Sequence, residues 1–377
     1  MIKILPDKAI LGQIAEIERL REQCGAVKLP VSITLTLRKN SRKKSSYASN
    51  RIEGNPLTEA EASDAIESSK RHYLKPEQEI RNYYEALIFL QAARERETPF
   101  SRDLILDVQK RVVAGESREK IGIRGPMPPG VLFAVYDEKT GHPDYIPPEA
   151  SDVEPLLMEL VDYVAKSEDH PLIKAAVVHY QLVSIHPFED GNGRTARLMS
   201  DYVRDLAGYG FGNLGSLEEY FAYDVDEYYR SLQMDLPPLF YDGRENPPHP
   251  EIWVGYFMRM MVLYAKKVVE ISLANAASDL TPALTHLSFK ERRFLDYLRK
   301  KRIDEFTPIE MAKVMKVSNR TIINWAVALA KSGLLEPQLV QKRIRSYRVI
   351  SAHVKRFHVQ NPPWATMFLQ RRRSDDV

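Results

Sequence analysis

Cysteine is nearly absent from this 377-residue chain, with Cys24 the single example. One thiol cannot close an internal disulfide, so packing and hydrogen bonds must hold the fold, as befits a reducing compartment. Long apolar runs are missing as well. No uninterrupted apolar stretch of about 18 residues occurs, which excludes a helical membrane span. The opening Met-Ile-Lys-Ile-Leu-Pro-Asp-Lys lacks the extended apolar segment of a signal peptide. The expectation is a cytoplasmic protein that does not engage a membrane. No internal repeat or low-complexity tract is evident. An overall excess of one charge is also lacking, because the net charge is only +3. That near balance hides an asymmetry: residues 1–285 carry −9, residues 286–350 carry +9 and residues 351–377 carry +3. An acidic body with a basic C-terminal part predicts different partners for the two.

What is present is ordinary for a soluble globular protein, 44% hydrophobic and 28% charged, and long enough for two or three domains. Apolar spacing of three to four residues predicts helices over 59–69, 77–94, 103–113, 153–167 and 171–184. Gly125-Pro-Met-Pro-Pro-Gly130 cannot be helical, since proline lacks the amide proton and restricts the residue before it. Residues 131–136 and 142–148 read as two extended pieces around a turn at 138–141, a β-hairpin. A further helix is expected over 251–268, and Ser272–Thr285 reads as a linker. Beyond it, helical patterns at 288–300, 307–315 and 318–332 are followed by strand-like pieces at 334–340 and 344–350. Thr307-Pro-Ile-Glu310 has the cap, first-turn proline and third-position glutamate of a helix start, and Ser318 caps the next. Three helices plus a hairpin predict a winged helix-turn-helix domain.

The densest chemistry lies in His186-Pro-Phe-Glu-Asp-Gly-Asn-Gly-Arg-Thr-Ala-Arg197. Because Thr195–Leu206 reads as helix, Gly191–Arg194 sits at a helix N-terminus. There unpaired amides and the helix dipole attract an anion, and glycines let the backbone come close. The ordinary histidine pKa of about 6.5 would leave His186 mostly neutral at pH 7, which suits a general base. Asp190 suits magnesium, which needs one or two protein carboxylates when phosphates and waters complete its shell. Gly191, Asn192 and Gly193 can offer backbone amides to phosphate, and Arg194 and Arg197 can answer its remaining charge. The inventory fits a nucleoside triphosphate. Phe188 reads as the anchor of the loop.

The same string resembles, without a gap, the signature of the Fic family, His-Pro-Phe-x-(Asp/Glu)-Gly-Asn-Gly-Arg-x-x-Arg. The resemblance covers roughly residues 40–270. It implies a mainly α fold: a Fic-type helical bundle with a β-hairpin flap, here with the C-terminal winged helix-turn-helix appended. It implies transfer of AMP from ATP to a Ser, Thr or Tyr hydroxyl of a target protein or of the chain itself, with pyrophosphate released. His186 would be the base, Asp190 would hold Mg2+, Asn192 and the loop amides would meet the α- and β-phosphates, and Arg197 the γ-phosphate. Lysine at the position of Gly193 marks relatives that act as kinases, so glycine favours AMP transfer. Ser49-Asn-Arg-Ile-Glu53-Gly54-Asn55 resembles the family's inhibitory motif, (Ser/Thr)-x-x-x-Glu-(Gly/Asn), whose glutamate pairs with the second signature arginine, Arg197. Residues 41–53 read as its helix, with Gly54 as the stop; a glutamate in a helix's last turn opposes the macrodipole.

By the same resemblance, hairpin 131–148 is the flap on which a target segment docks as an added strand, with Leu132 and Phe133 near the acceptor. Tyr228-Tyr229 resembles the family's tyrosine pair and puts Tyr229 on the nucleotide side. The expected domains are a helical embellishment at 1–40 and a Fic domain at 41–271, with inhibitory helix 41–54. A linker at 272–285, a winged helix at 286–350 and a basic tail at 351–377 follow. In the winged helix, Asn319, Arg320, Thr321 and Asn324 would face a DNA groove, with Lys342, Arg343, Arg345 and Arg348 on phosphates. Competing readings are a DNA-binding regulator with a nucleotide-sensing Fic-like body, transfer of another phosphate-linked group, AMP removal, and a winged helix that binds protein or fixes a homodimer.

Overall fold

The computed structural model describes residues 2–70, 72–131, 133–136, 141, 143–236, 247–276, 287–340 and 343–350. Most of the expected turn at 138–141, Leu132, Lys342, most of the expected linker and the tail 351–377 lie outside them. The chain divides into two compact units, Met1–Ala276 and Ala277–Val377. No helix among the described residues is long and apolar enough to cross a membrane.

The first unit is built from helices, and local chemistry sets most of their ends. Helix α1 (Lys8–Gly25) starts where the Asp7 carboxylate accepts from the Ile10 amide, and it buries Ile10, Ile17 and Leu20. Helix α2 (Val31–Ile52) begins ten residues before the expected Ser41 and so runs through the expected boundary at residue 40. The reason is legible afterwards: its early turns carry Thr34 and Thr36, which bond back to carbonyls four residues earlier, and no apolar stripe marks them. Its buried face is polar, made of Ser41, Ser45, Ser46, Ser49 and Asn50 beside Ala48 and Ile52. Helix α3 (Glu59–Glu67) opens with a Thr58–Glu61 capping box, an arrangement that contributes about 1 kcal/mol. Helices α4 (Lys75–Glu95) and α5 (Arg102–Val112) follow.

Strands β1 (Val135–Tyr136) and β2 (Pro143–Tyr145) pair antiparallel and are much shorter than the two expected pieces. Helix α6 (Ala150–Lys166) leads to α7 (Pro171–Ile185), which is buried nearly all round. It packs along α8 (Asn192–Leu206), and these two helices carry the signature loop between them. Short helices α9 (Glu218–Phe221) and α10 (Val225–Gln233) precede α11 (Pro250–Ala276). Trp253 on α11 is fully buried and donates its indole N–H to the Ala176 carbonyl at 2.8 Å, locking α11 to α7. Because α11 continues to Ala276 with Ser272 buried, the expected linker start at Ser272 is helix instead.

The second unit has its own core around Phe294, Leu298, Phe306, Ile322, Leu329 and Tyr347. Helices α12 (Phe289–Lys300), α13 (Pro308–Met315) and α14 (Asn319–Lys331) are capped by Ser288, Thr307 and Ser318. Strands β3 (Glu305–Phe306), β4 (Leu335–Val340) and β5 (Arg343–Val349) form an antiparallel sheet in the order β3-β5-β4. The three helices and strands β4 and β5 lie close to the expected helical and strand-like pieces, and β3 is an additional strand.

Candidate active site

Pro187 ends α7, because the residue before a proline is steered away from helical geometry. His186 takes the left-handed region instead, at φ 48° and ψ 60°. Its Nδ1 lies 3.3 Å from the Val183 carbonyl, an oxygen that can only accept. The proton therefore sits on Nδ1, and Nε2 is left with its lone pair. Burial pushes the imidazole down to about 4, with the Val183 contact acting in the opposite sense. The ring is neutral throughout the physiological range.

After His186 the loop is tied down carbonyl by carbonyl. Phe188 is fully buried, and its backbone N–H donates to Asn192 Oδ1 at 3.0 Å while Asn192 Nδ2 donates to its carbonyl at 2.8 Å. The Asn192 side chain thus closes the loop. Gln109 Nε2 holds the Asp190 carbonyl at 3.1 Å and the Lys120 carbonyl at 2.7 Å. Gly191, the residue before the helix, has φ 83°, and a Cβ there would meet Val113 Cγ1 at 3.0 Å. Glycine is needed for both reasons. Helix α8 starts three residues before the expected Thr195, with no side chain capping it. The first amides of α8 are the kind that an anion satisfies.

Asp190 pairs with Arg194 at 2.9 Å and with Lys120 at 3.3 Å, at the partly exposed mouth of the loop. Arg197 lies one turn further along α8 and is 2% exposed. Its Nε donates to Ser49 Oγ at 2.8 Å, its Nη2 to the Ser49 carbonyl at 3.0 Å and to Glu53 Oε1 at 2.7 Å, and its Nη1 to Tyr228 Oη at 3.3 Å. Burial alone would lower the Arg197 pKa, but the Glu53 carboxylate outweighs it and holds the guanidinium firmly charged. Glu53 caps the C-terminus of α2 rather than lying inside it, and Gly54 takes φ 80°. A Cβ on Gly193 would stand 2.5 Å from Glu53 Oε1. The carboxylate therefore occupies the space directly over the glycine of the helix N-terminus.

Ser49, Glu53, His186, Asp190, Gly191, Asn192, Gly193, Arg194 and Arg197 thus converge at one end of α8. Tyr229 is half exposed beside them, its hydroxyl donating to the Ile52 carbonyl at 3.4 Å. The neighbouring Tyr228 is the buried one, bonded to both Arg197 and His179. Sequence reasoning noticed the tyrosine pair but gave it no contact with Arg197. It missed Gln109, Lys120 and Arg124, which lie far from the signature in sequence and match no pattern of their own. On α14 of the separate second unit, Arg320 and Asn324 are exposed, and Thr321 Oγ1 is 2.7 Å from Ser318 Oγ. Strand β5 opens with Arg343.

The Fic/DOC family pattern matches residues 99–203, the span from the start of α5 to the last turns of α8. This chain carries a Fic domain. The domain resembles the protein adenylyltransferase Fic of Nematostella vectensis, 29% identical over 170 residues that cover 43% of this chain and 37% of that protein. The Drosophila mojavensis protein of the same name is 28% identical over 204 residues, covering 52% of this chain and 38% of its own length. The chain therefore spans less than two fifths of these curated relatives. Among solved structures, a Fic family protein from Desulfovibrio desulfuricans G20 superposes with TM-score 0.61 at 21% identity, covering 93% of this chain and 98% of that one. Fic-1 from C. elegans gives 0.52 at 21% identity over 70% of this chain and 72% of its own. Both show a shared fold. The elements outside the matched span, α1 to α4 and α9 to α11, complete the core in which the Fic domain sits.

Proposed function

We propose that the chain is a self-inhibited protein adenylyltransferase that moves AMP from ATP onto a side-chain hydroxyl. The observation that carries the reading is the stack formed by the amides of α8, Gly193, Glu53 and Arg197, beside the free Nε2 of His186. With Glu53 withdrawn, a triphosphate would fit this place, with its α- and β-phosphates on the N-terminal amides and Arg194, and its γ-phosphate on Arg197. The acceptor oxygen then attacks the α-phosphorus, a new P–O bond forms, and the bond to pyrophosphate breaks. The hydroxyl proton passes to His186 Nε2. Positioning and charge neutralisation supply most of the acceleration, as in related phosphoryl chemistry.

A single partly exposed carboxylate that already draws two cations fits Mg2+, which takes few protein ligands. Asp190 would hold the ion, which would supply charge neutralisation on the phosphates. Glu53 restrains the reaction by occupying Arg197 and the space over Gly193. The β1–β2 hairpin is the surface on which an extended target segment would pair. The test is to incubate the Glu53→Gly chain with ATP labelled in the α-phosphate and to look for label on protein together with free pyrophosphate. Label from the γ-phosphate instead would contradict the reading.

The depressed pKa of His186 gives a further expected result. The proton-accepting form is present above the folded value and lost as pH falls through it, so the acid limb of AMP transfer should lie near pH 4. A limb near 6.5, the ordinary histidine value, would contradict the buried-base account.

For the second unit we propose nucleic-acid binding, supported by the +9 charge of residues 286–350 and the exposed Asn319, Arg320 and Asn324 of α14. Affinity of the whole chain for duplex DNA should fall by about 10³-fold or more between 50 and 200 mM salt if some six phosphates are met. A titration that shows no binding at low salt would rule it out.

A further inference from the structure

Arg124 stands outside every motif, yet it is 4% exposed and touches both the base loop and the flap. Its Nε donates to the His186 carbonyl at 2.8 Å, and its Nη2 donates to the Pro148 carbonyl. Its backbone N–H donates to the Pro187 carbonyl at 2.9 Å. The guanidinium face lies 4.7 Å from the centre of the Phe133 ring, and that ring lies 5.9 Å from the His186 imidazole. Phe133 leads into β1, and Pro148 follows β2, so one side chain grips both roots of the hairpin and the carbonyl of the proposed base. Tyr145, at the end of β2, adds a second tie by donating to the Ser184 carbonyl at 2.5 Å on α7.

The chemistry of these contacts is unusual for a buried arginine. Among the described residues no carboxylate stands within ion-pairing reach of Arg124, although the charges of Glu149 and Glu189 favour its protonated form. Burial works against the charge, and the side chain's hydrogen-bond partners are neutral carbonyls. A buried cation on carbonyls is a poor way to gain stability. It is a good way to fix geometry, because a planar fork reaches two diverging acceptors while its face stacks on a ring. The residue being fixed needs fixing. His186 is a non-glycine residue in the left-handed region, a conformation that persists only when its surroundings over-determine it.

We propose that Arg124 is a positioning residue that sets the orientation of His186 and couples it to the flap on which the acceptor docks. This rests on the reading of His186 as base. Lysine cannot replace it, since one ammonium cannot hold both carbonyls and cover Phe133. Methionine keeps the stem and removes every donor.

The test uses the full chain carrying Glu53→Gly, with Arg124→Lys, Arg124→Met, His186→Asn and the Arg124→Met/His186→Asn pair. ATP affinity should stay within about threefold, while AMP transfer at saturating ATP should fall on the order of 100-fold in both Arg124 variants, as for a reacting group displaced by about 1 Å. The paired variant should be hardly slower than His186→Asn alone, because a displaced base has little left to lose. Additive losses, or a collapse of ATP affinity in parallel with the rate, would overturn the proposal and leave Arg124 a structural residue. If the Glu53→Gly parent transfers nothing, the adenylyltransferase reading is what has failed. The positioning claim is then decided by the carbon-proton NMR signal of the His186 ring in ligand-free protein. A shift in the Arg124 variants supports the claim, and an unmoved signal overturns it.

Discussion

Replacing Glu53 with glycine is expected to raise AMP transfer on the order of 100-fold, the kinetic equivalent of about 3 kcal/mol of competing ion pairing. The carboxylate has two obstructive contacts. It holds Arg197 Nη2 at 2.7 Å, and it overhangs Gly193 so closely that even a Cβ there would stand 2.5 Å from it. Removing it returns a buried guanidinium to the site and opens the space over the α8 amides. The same change costs stability in the ligand-free chain, because Arg197 loses its anion. Glu53 is 31% exposed in its side chain, so solvent screens the pair and the loss should be about 1–3 kcal/mol, below that of a fully buried pair. ATP should therefore raise the melting temperature of the variant more than that of the parent, since the phosphates replace the missing charge. Transfer assays and thermal scans with and without ATP check both halves. An unchanged rate with ATP affinity intact would remove the brake from the account.

Removing the base should have an effect at least as large in the opposite direction. Loss of a positioned general base costs roughly 10²- to 10⁴-fold. His186 sits at φ 48°, a conformation that alanine resists and asparagine tolerates. His186→Asn is therefore the cleaner variant, since it preserves the left-handed turn into Pro187 while deleting the acceptor nitrogen. In a Glu53→Gly background it should reduce transfer by that factor and leave ATP affinity within about threefold. If His186→Asn transfers AMP as fast as its parent, the proton goes elsewhere.

Much of this was readable in the sequence because the chemistry is local there. The signature places His186, Asp190, Gly193 and both arginines on one loop and one helix end, and the Glu53 motif names its partner. The capping residues Thr307 and Ser318 mark helix starts. What escaped was set by contacts distant in sequence or by the absence of an apolar stripe. The early turns of α2 and the last turns of α11 carry too little periodic pattern to fix their ends. Asn192 is expected at a phosphate, and only the folded loop reveals that its side chain also bridges the N–H and carbonyl of Phe188. Arg124 is one arginine among many in the sequence. Its meaning comes from carbonyls 24 and 62 residues away.

The most direct test of the central claim is intact-mass spectrometry of the chain after incubation with ATP and magnesium. Three proteins suffice: the parent, Glu53→Gly, and Glu53→Gly with His186→Asn. The account expects little added mass on the parent, one or more AMP additions on Glu53→Gly, and their loss in the double variant. AMP additions equal in the parent and in Glu53→Gly, or undiminished without His186, would contradict it.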